Sequence, residues 1–159
     1  MAILKEKTAC FTGHRDMPAI SLFIKSRLKK EIEKLIEKGV IFYGNGGALG
    51  FDTLAALTVI ELRKKHPQIK LIMVLPCKEQ DKKWREADKK IYADILEQAD
   101  KITYTSEHYY RTCMYVRNRR LVDGSDYCIA YLKDDVGGTA YTVKYAKENG
   151  LEVINIAEK

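Results

Sequence analysis

The sequence predicts an α/β fold, a three-layer sandwich in which a mainly parallel sheet carries helices on both faces. Strand patterns and helix patterns alternate from one end of the chain to the other, which is typical of β-α-β units. A near-continuous apolar run at 69–75 is typical of a strand that is covered on both faces. No internal repeat or linker interrupts the alternation, so residues 1–159 are predicted to form one domain.

The individual elements follow from apolar spacing and from glycine and proline stops. Apolar residues three and four positions apart predict the first helix and its buried side, and Gly39 ends it. These apolar positions are Ile24, Leu28, Ile32, Leu35 and Ile36. Pro67 ends the second helix, Pro76 follows the third strand, and Gly150 ends the last helix. The predicted strands are 8–12, 40–43, 69–75, 101–105, 126–132 and 151–156, and the predicted helices are 20–38, 53–65, 83–98, 109–123 and 139–149.

Composition and charge narrow the possible functions. Apolar residues make up 46% of the chain and charged residues 31%, which is typical of a folded globular protein and not of a disordered one. The net charge of +6 would suit nucleic acid or anionic ligands. However, the basic residues are mostly lysines that alternate with acidic residues on predicted helices, which indicates solvated helix faces.

The cysteines and the N-terminal residues indicate where the protein is located and whether a metal site is expected. The four cysteines form no C-x-x-C pair, and no histidine lies at metal-ligand spacing from them, so we predict no metal site and no disulfide framework. Free cysteines indicate a reducing cytoplasm. Residues 1–7 lack the apolar core of a signal peptide, and no apolar run approaches the roughly 20 residues of a membrane span. A cytoplasmic protein with no membrane partner is expected.

A glycine-rich stretch, 44–52, lies between the second predicted strand and the helix that follows it. A strand, a glycine turn and a helix in that order expose backbone N–H groups at a helix N-terminus, which favours binding of a phosphate or another anion. The spacing matches neither G-x-G-x-x-G nor a P-loop, so a tight structural turn is the alternative interpretation. The candidate ligand-binding residues here are Gly46, Gly47 and Gly50.

Asp52 lies in the first turn of that predicted helix, where an N-cap role is the simplest interpretation. A carboxylate would repel a phosphate bound at the same amides, so the predicted ligand partner of Asp52 is a hydroxyl group such as that of a ribose. A second glycine turn follows the fifth strand and opens the last helix. Its candidate phosphate-binding residues are Gly137, Gly138 and Thr139.

Further candidates follow other strands, because ligands of open parallel sheets bind outside the carboxyl ends of the strands. After the first strand, Gly13, His14 and Arg15 combine a turn with an acid/base group and a bidentate phosphate donor. The alternative is that His14 and Arg15 cap local carbonyls. Trp84, the single tryptophan, either stacks on a base or anchors its helix to the sheet.

Arg117 shares the apolar side of its predicted helix with Met114, so its guanidinium is expected to face the core. A buried guanidinium needs a partner, which is either a carboxylate such as Asp126 or a ligand phosphate. Asn118 is a further candidate ligand-binding residue. No Ser-His-Asp or Cys-His nucleophile set is indicated, so the catalytic residues are unknown and the candidates are Asp52 and Arg117.

Several motifs, in order along the chain, resemble those of the YpsA-like proteins, a family grouped with the SLOG superfamily of Rossmann-like nucleotide binders. They are CFTGHR at 10–15, GGALGFDTLAA at 46–56, RNR at 117–119 and GGT at 137–139. The resemblance covers nearly the whole chain. It implies a Rossmann-like fold, a nucleotide ligand such as ADP-ribose, NAD or AMP, a homodimer in a bacterial cytoplasm, and a link to cell division in some members.

The related LOG-type phosphoribohydrolases release bases from nucleoside monophosphates. They pair an Arg-Lys on a helix with a Pro-Gly-Gly-x-Gly-Thr-x-x-Glu loop, which Arg117-Asn118 and Gly138-Thr139 resemble in part. Tyr141 and Thr142 stand where the glutamate of that loop is expected, so the carboxylate that would stabilise a ribosyl cation is missing there. This departure argues against LOG-type hydrolysis unless Asp52 or Glu107 substitutes for the glutamate.

Three function hypotheses result. The leading one is a small-molecule nucleotide binder, in the role of a sensor linked to cell division or stress, whose ligand contacts the glycine turns, Arg15 and Arg117. The second is an enzyme that cleaves an N-glycosidic or phosphoribosyl bond. The third is a single-stranded nucleic-acid binder, which the basic charge allows although no aromatic series accompanies the basic residues.

Overall fold

The computed structural model describes residues 2–17 and 22–157, and within them six strands and five α-helices alternate. The strands are β1 (Thr8–Gly13), β2 (Phe42–Asn45), β3 (Lys70–Leu75), β4 (Lys101–Tyr104), β5 (Tyr127–Tyr131) and β6 (Glu152–Asn155). The helices are α1 (Leu22–Glu37), α2 (Phe51–Arg63), α3 (Glu86–Gln98), α4 (Cys113–Asp123) and α5 (Gly137–Glu148). The predicted alternation of strands and helices is confirmed, and a short 3-10 helix, Lys5–Lys7, precedes β1.

The strands form one parallel sheet in the order β4-β3-β2-β1-β5-β6. In the centre, Cys10 of β1 is in register with Gly44 of β2 on one side and with Cys128 of β5 on the other. Strands β2 to β4 extend the sheet on the first side, and the chain then crosses back to add β5 and β6 on the second. The junction of β1 and β5 is therefore the topological switch point, outside which sheets of this type bind ligands.

Helices cover both faces of the sheet, as predicted. On one face α1, α2 and α3 bury the larger core against strand residues such as Ala9 and Phe11. On the other face α4 and α5 pack on a smaller core that includes Cys10 and Cys128. Successive side chains of a strand point to opposite faces, so the neighbours Cys10 and Phe11 belong to different cores. All four cysteines are buried free thiols.

The second strand differs from its predicted bounds. β2 begins at Phe42 and continues through Asn45, because its pairing with β3 extends that far. Gly44 therefore lies in the sheet and not in the glycine turn. A Cβ at Gly44 would lie 2.9 Å from the Leu121 side chain, so the absence of a side chain here lets α4 pack closely on the strand.

Four helices also begin away from their predicted first residues. α2 begins at Phe51 instead of at residue 53, and α3 begins at Glu86 instead of at residue 83. α4 begins at Cys113 instead of at residue 109, so Tyr109 and Tyr110 lie in the loop before it. α5 begins at Gly137 instead of at residue 139, which brings both glycines of the second turn into its first turn. Ile20, the predicted start of the first helix, lies outside the described residues. None of the helices described is both long and apolar enough to cross a membrane.

Candidate functional site

A cleft of about 240 Å³ opens at the carboxyl edge of the sheet, beside the switch point. The turn after β1, the start of α2, the inner side of α4 and the first turn of α5 form its walls. Of the residues predicted from the sequence, it brings together Gly13, His14, Arg15, Asp52, Arg117, Asn118, Gly137, Gly138 and Thr139. Four separate segments of the chain thus meet in one cleft.

The glycine loop after β2 is folded on itself. Asn45 Oδ1 accepts the Gly47 amide at 2.8 Å, and Asn45 Nδ2 donates to the Asp52 carbonyl at 2.8 Å. The Ala48 amide donates to Asp52 Oδ2 at 3.1 Å. Two N–H groups of this loop are therefore occupied within the protein and are not available to a ligand.

Two glycines of this loop allow close approach to arginines. A Cβ at Gly46 would lie 2.6 Å from Arg117 Nη1. Gly50 has φ 78°, and a Cβ there would lie 2.1 Å from the Arg15 carbonyl oxygen. Both approaches exclude a side chain, and the φ of Gly50 also favours glycine. Gly46, Gly47 and Gly50 are not among the residues that line this cleft, and Gly46 and Gly50 instead allow the close approach of Arg117 and Arg15.

Asp52 is the acidic side chain in the lining of the cleft. Gly50 occupies the N-cap position of α2, so the interpretation of Asp52 as an N-cap is wrong. Asp52 is 7% exposed, and its Oδ1 has no hydrogen-bond partner within the described residues. Burial raises the pKa of Asp52 to about 6, while the charges of Arg117 and Arg15 lower it. A buried acceptor without a donor is costly, and a ligand hydroxyl group would satisfy it.

Arg117 lies on the inner side of α4 and is 3% exposed. Its Nη1 donates to the Gly46 carbonyl, its Nε to Asn118 Oδ1 at 2.7 Å and its Nη2 to Met114 Sδ at 3.6 Å. Within the described residues no carboxylate forms an ion pair with Arg117, so Asp126 is not its partner. Burial lowers the pKa of the Arg117 guanidinium, and the charge of the Asp52 carboxylate partly opposes that shift.

His14 and Arg15 follow β1 and have different surroundings. His14 Nε2 accepts the Lys133 amide at 2.8 Å and the Asp134 amide at 3.4 Å, which ties the loop after β5 to the turn after β1. His14 Nε2 thus accepts from amides instead of capping carbonyls. The exposed side chain of Arg15 makes no hydrogen bond or ion pair within the part of the chain that the structure describes. The Arg15 guanidinium is therefore available to a ligand at the cleft.

The first turn of α5 brings the second glycine turn to the cleft. No side-chain cap is present at this helix start in the described chain, and a Cβ at Gly138 would meet no atom within 4 Å. The first N–H groups of a helix have no acceptor inside the helix, and its dipole adds positive potential at this end. Unlike the loop after β2, this turn is open to an anion.

A wider cleft of about 650 Å³ adjoins the first one and shares Arg15 and Met114 with it. Trp84 lines this wider cleft, and its ring meets Tyr92 edge-on with 5.0 Å between the centroids. Trp84 also packs on the larger core, so its two predicted roles, ligand contact and anchor, are compatible. The remaining lining residues are Glu79, Gln80, Lys82, Lys83 and Tyr109.

Sequence reasoning missed Gln80 and Tyr109 as cleft residues. Gln80 is a single amide in a charged loop, and its burial depends on contacts with Gly46 and Tyr92, which are distant in sequence. Tyr109 lies in a segment that the sequence predicts as the first turn of a helix and that is a loop. No local pattern signals either position.

The chemistry of the first cleft suits an anion that also carries a hydroxyl group. Two guanidinium groups and a helix N-terminus suit phosphate oxygens, and the buried carboxylate of Asp52 suits an O–H group. Within residues 2–17 and 22–157, no cluster of three or more His, Cys, Asp or Glu side chains is placed to hold a metal ion.

Comparison with known proteins assigns the fold and the family. DNA processing protein A from Streptococcus pneumoniae matches with a TM-score of 0.68 and 22% identity, over 95% of this chain and 50% of that one. DNA processing protein A from Helicobacter pylori, solved to describe its single-stranded DNA binding mode, gives 0.66 and 20% identity over 94% of this chain and 64% of that one. The chain thus spans only part of each of these proteins, and the likeness shows a shared Rossmann-like fold.

Sequence relatives are closer. A UPF0398 protein of Halalkalibacterium halodurans is 36% identical over 129 residues, which cover 79% of this chain and 68% of that protein. The SPbeta prophage-derived protein YoqJ of Bacillus subtilis is 35% identical over 143 residues, 82% of this chain and 84% of that protein. A family model, YpsA, described as the YspA SLOG family, matches residues 11–155. The chain therefore belongs to the YpsA family of SLOG proteins.

Proposed function

We propose that this protein binds a nucleotide-derived small molecule, such as AMP, ADP-ribose or NAD, through its phosphate in the cleft beside β1 and β5. The observation that carries the proposal is the buried guanidinium of Arg117, which forms no ion pair with a carboxylate within the described residues and lines the same cleft as the start of α5. Arg15 adds a second, exposed cation. Two cations and a helix N-terminus around one void favour a group with one or two negative charges.

A ribose hydroxyl is the proposed partner of Asp52. Oδ2 of Asp52 is used by the Ala48 amide, and Oδ1 has no donor within the described residues. An O–H group supplies that donor without bringing a second negative charge next to the carboxylate. A phosphate at Arg117 and a hydroxyl at Asp52 in the same cleft fit a ribose phosphate better than inorganic phosphate.

Calorimetry with AMP, ADP-ribose and NAD tests the proposal, with two arginine variants on one helix. Arg117→Gln removes the charge in the cleft and is expected to weaken binding about tenfold or more. Arg119→Gln is the matched control, because Arg119 donates to the Tyr141 hydroxyl at 2.9 Å, outside the cleft. The affinity of this variant for the nucleotide should stay within about twofold of wild type. Thermal unfolding checks that Arg117→Gln folds, and Arg15→Gln repeats the test at an exposed position. Unchanged affinity in Arg117→Gln and Arg15→Gln alike would contradict the proposal.

The backbone contribution of α5 has its own matched pair of variants. Gly138→Pro removes one N–H group at the helix start, where proline is tolerated, whereas Gly138→Ala keeps it. In both variants the added Cβ enters open space. The proline variant should bind the nucleotide more weakly than wild type, and the alanine variant should bind it as tightly as wild type. Equal affinities would show that this amide does not contact the ligand.

A second candidate function is single-stranded nucleic-acid binding. The likeness to DNA processing protein A favours it, since one of those structures concerns single-stranded DNA. Fluorescence anisotropy with a labelled oligonucleotide, measured over a range of salt concentrations, tests this candidate. A steep fall of affinity with salt, no competition by AMP, and no calorimetric binding of mononucleotides would favour nucleic acid over the leading proposal.

Cleavage of an N-glycosidic bond is the enzymatic alternative, and the position of Asp52 favours it. Its carboxylate lines the same cleft as both arginines, and a carboxylate is the group that stabilises a ribosyl cation. Release of free base from AMP or NAD, abolished by Asp52→Asn, would establish an enzyme. A bacterial cytoplasmic location, a role in cell division and a homodimer, all implied by the family resemblance, belong to the proposal, and light scattering tests the dimer.

A further inference from the structure

We propose that the wider cleft is a base subsite that selects a 6-aminopurine, and that Gln80 is its specificity-determining residue. The base would belong to the nucleotide whose phosphate occupies the site beside β1 and β5, so this role of Gln80 rests on the proposed function. Gln80 is 9% exposed and lines the wider cleft. Its Oε1 has no hydrogen-bond partner within the described residues.

Two hydrogen bonds fix the orientation of the Gln80 carboxamide. Nε2 donates to the Gly46 carbonyl at 3.3 Å and to the Tyr92 hydroxyl at 3.1 Å. Because a backbone carbonyl can only accept, the NH₂ side of the carboxamide has to face Gly46. Oε1 is therefore a buried acceptor of fixed orientation, in a residue that lines the cleft. A ligand group that meets it has to be a donor.

Two aromatic side chains give this cleft the flat surfaces that a base needs. The Trp84 ring is held by its edge-on contact with Tyr92. Tyr109 is 60% exposed, and its backbone amide donates to Glu79 Oε1 at 2.8 Å, which holds its loop in place. Stacking on aromatic rings binds any base, because every base has a π-face. Discrimination between bases therefore falls to the polar group at the edge, Gln80.

The two clefts lie side by side and share two residues of their walls. Arg15 and Met114 line both of them. A single nucleotide with its phosphate near the start of α5 can therefore extend past Arg15 to place its base beside Gln80. The volume of the wider cleft, about 650 Å³, accommodates a purine base.

The fixed acceptor distinguishes purines by the group at C6. Adenine carries an amino group there, which donates to Gln80 Oε1. Hypoxanthine carries a carbonyl oxygen at the same position, so two acceptors would face each other. The mismatch costs more than a missing bond, because both oxygens are removed from water without gaining a donor.

Calorimetry with AMP, IMP and ribose 5-phosphate on the full chain tests the base subsite. Wild type is expected to bind AMP at least about tenfold more tightly than IMP. Gln80→Met keeps a similar length but removes the acceptor, so AMP and IMP should come within about twofold while the affinity for ribose 5-phosphate stays unchanged. Gln98→Met is the matched control, since Gln98 is exposed at the end of α3 and outside both clefts, and it should keep the wild-type ratio.

Tyr109→Ala provides a second variant at an exposed position if Gln80→Met does not fold. It should weaken the binding of AMP about fivefold or more and leave the affinity for ribose 5-phosphate unchanged. Equal affinities of wild type for AMP and IMP overturn the base subsite, and binding of ribose 5-phosphate in that case leaves the phosphate site intact. If none of the three ligands binds, both the phosphate site and the base subsite are overturned.

Discussion

The two glycine turns of this protein are similar in sequence position and opposite in structure. Each follows a strand of the parallel sheet and precedes a helix. In the loop after β2, the amides of Gly47 and Ala48 donate to the side chains of Asn45 and Asp52. At the start of α5, no side chain caps the helix within the described residues, and the space around Gly138 is open.

The side chains that flank each turn account for the difference. Asn45 and Asp52 carry oxygens that reach back to the first loop and occupy its amides, so that loop supports the arginines of the cleft. The second turn follows Val136, which has no acceptor in its side chain and is 74% exposed. A glycine-rich junction of strand and helix is therefore an anion site only where no nearby side chain has already satisfied its N–H groups.

The largest expected effect on stability is the difference between an alanine substitution in the first turn and one in the second. Gly50→Ala places a Cβ 2.1 Å from the Arg15 carbonyl at φ 78°, so we expect a loss of about 3–5 kcal/mol in the free energy of unfolding. Gly138→Ala places its Cβ in open space within a helix. It should therefore raise the free energy of unfolding by less than about 1 kcal/mol. Urea denaturation measures both. Equal losses would show that the second turn is as constrained as the first.

Neutralising Asp52 should change stability in a pH-dependent way. Its folded pKa of about 6 lies above the ordinary value of 3.8, so the folded state binds more protons between these values. Stability from this group is therefore fully present below about pH 4 and is lost as the pH rises through 6. Asp52→Asn should be more stable than wild type by up to about 3 kcal/mol at pH 8 and nearly equal to it at pH 4.

Urea denaturation at both pH values checks this difference. Glu61→Gln is a suitable control, because Glu61 lies on the same helix, is exposed, and forms surface ion pairs with Lys25 and Lys29. It should show little change at either pH. A variant Asp52→Asn that is less stable than wild type at pH 8 would show that the Asp52 charge compensates the buried Arg117 by more than its own burial costs.

The fold was predictable because its signals are local and repeated. Apolar spacing in the first helix predicts its buried side, and the structure buries each of those positions: Ile24, Leu28, Ile32, Leu35 and Ile36. The boundaries were less predictable where tertiary contacts decide them. β2 extends to Asn45 because β3 offers partners that far, and α4 begins only at Cys113.

The site was predictable as a set of strand ends but not as a hydrogen-bond network. The spacing of Arg117 along its helix predicts its burial, which the structure confirms. The bonds of Asn45 to Gly47 and of Gln80 to Gly46 depend on side-chain rotamers, which no sequence period encodes. The functional roles of the cleft residues therefore stay predictions for the variants to test.

Removing the acceptor inside the first loop should have a smaller effect than neutralising Asp52. Asn45→Ala breaks the bonds to the Gly47 amide and the Asp52 carbonyl, and both groups are left buried, so we expect a loss of about 2 kcal/mol. Asn149→Ala is the matched control, since its side chain bonds an exposed helix carbonyl. Urea denaturation measures the loss. A gain of phosphate affinity in Asn45→Ala would show that the freed Gly47 amide becomes available to the ligand.

The smallest expected effect on stability concerns the support of the second turn. His14→Ala removes the acceptor of the Lys133 and Asp134 amides, which are in exposed residues and can bond water instead, so the loss should be about 1 kcal/mol or less. The loop that leads to α5 should nevertheless become more mobile, and faster hydrogen exchange at these two amides would report it. His108→Ala, which removes an exposed histidine beside Glu79, should leave that exchange unchanged. Unchanged protection in His14→Ala would mean that α5 and β5 hold the second turn in place without His14.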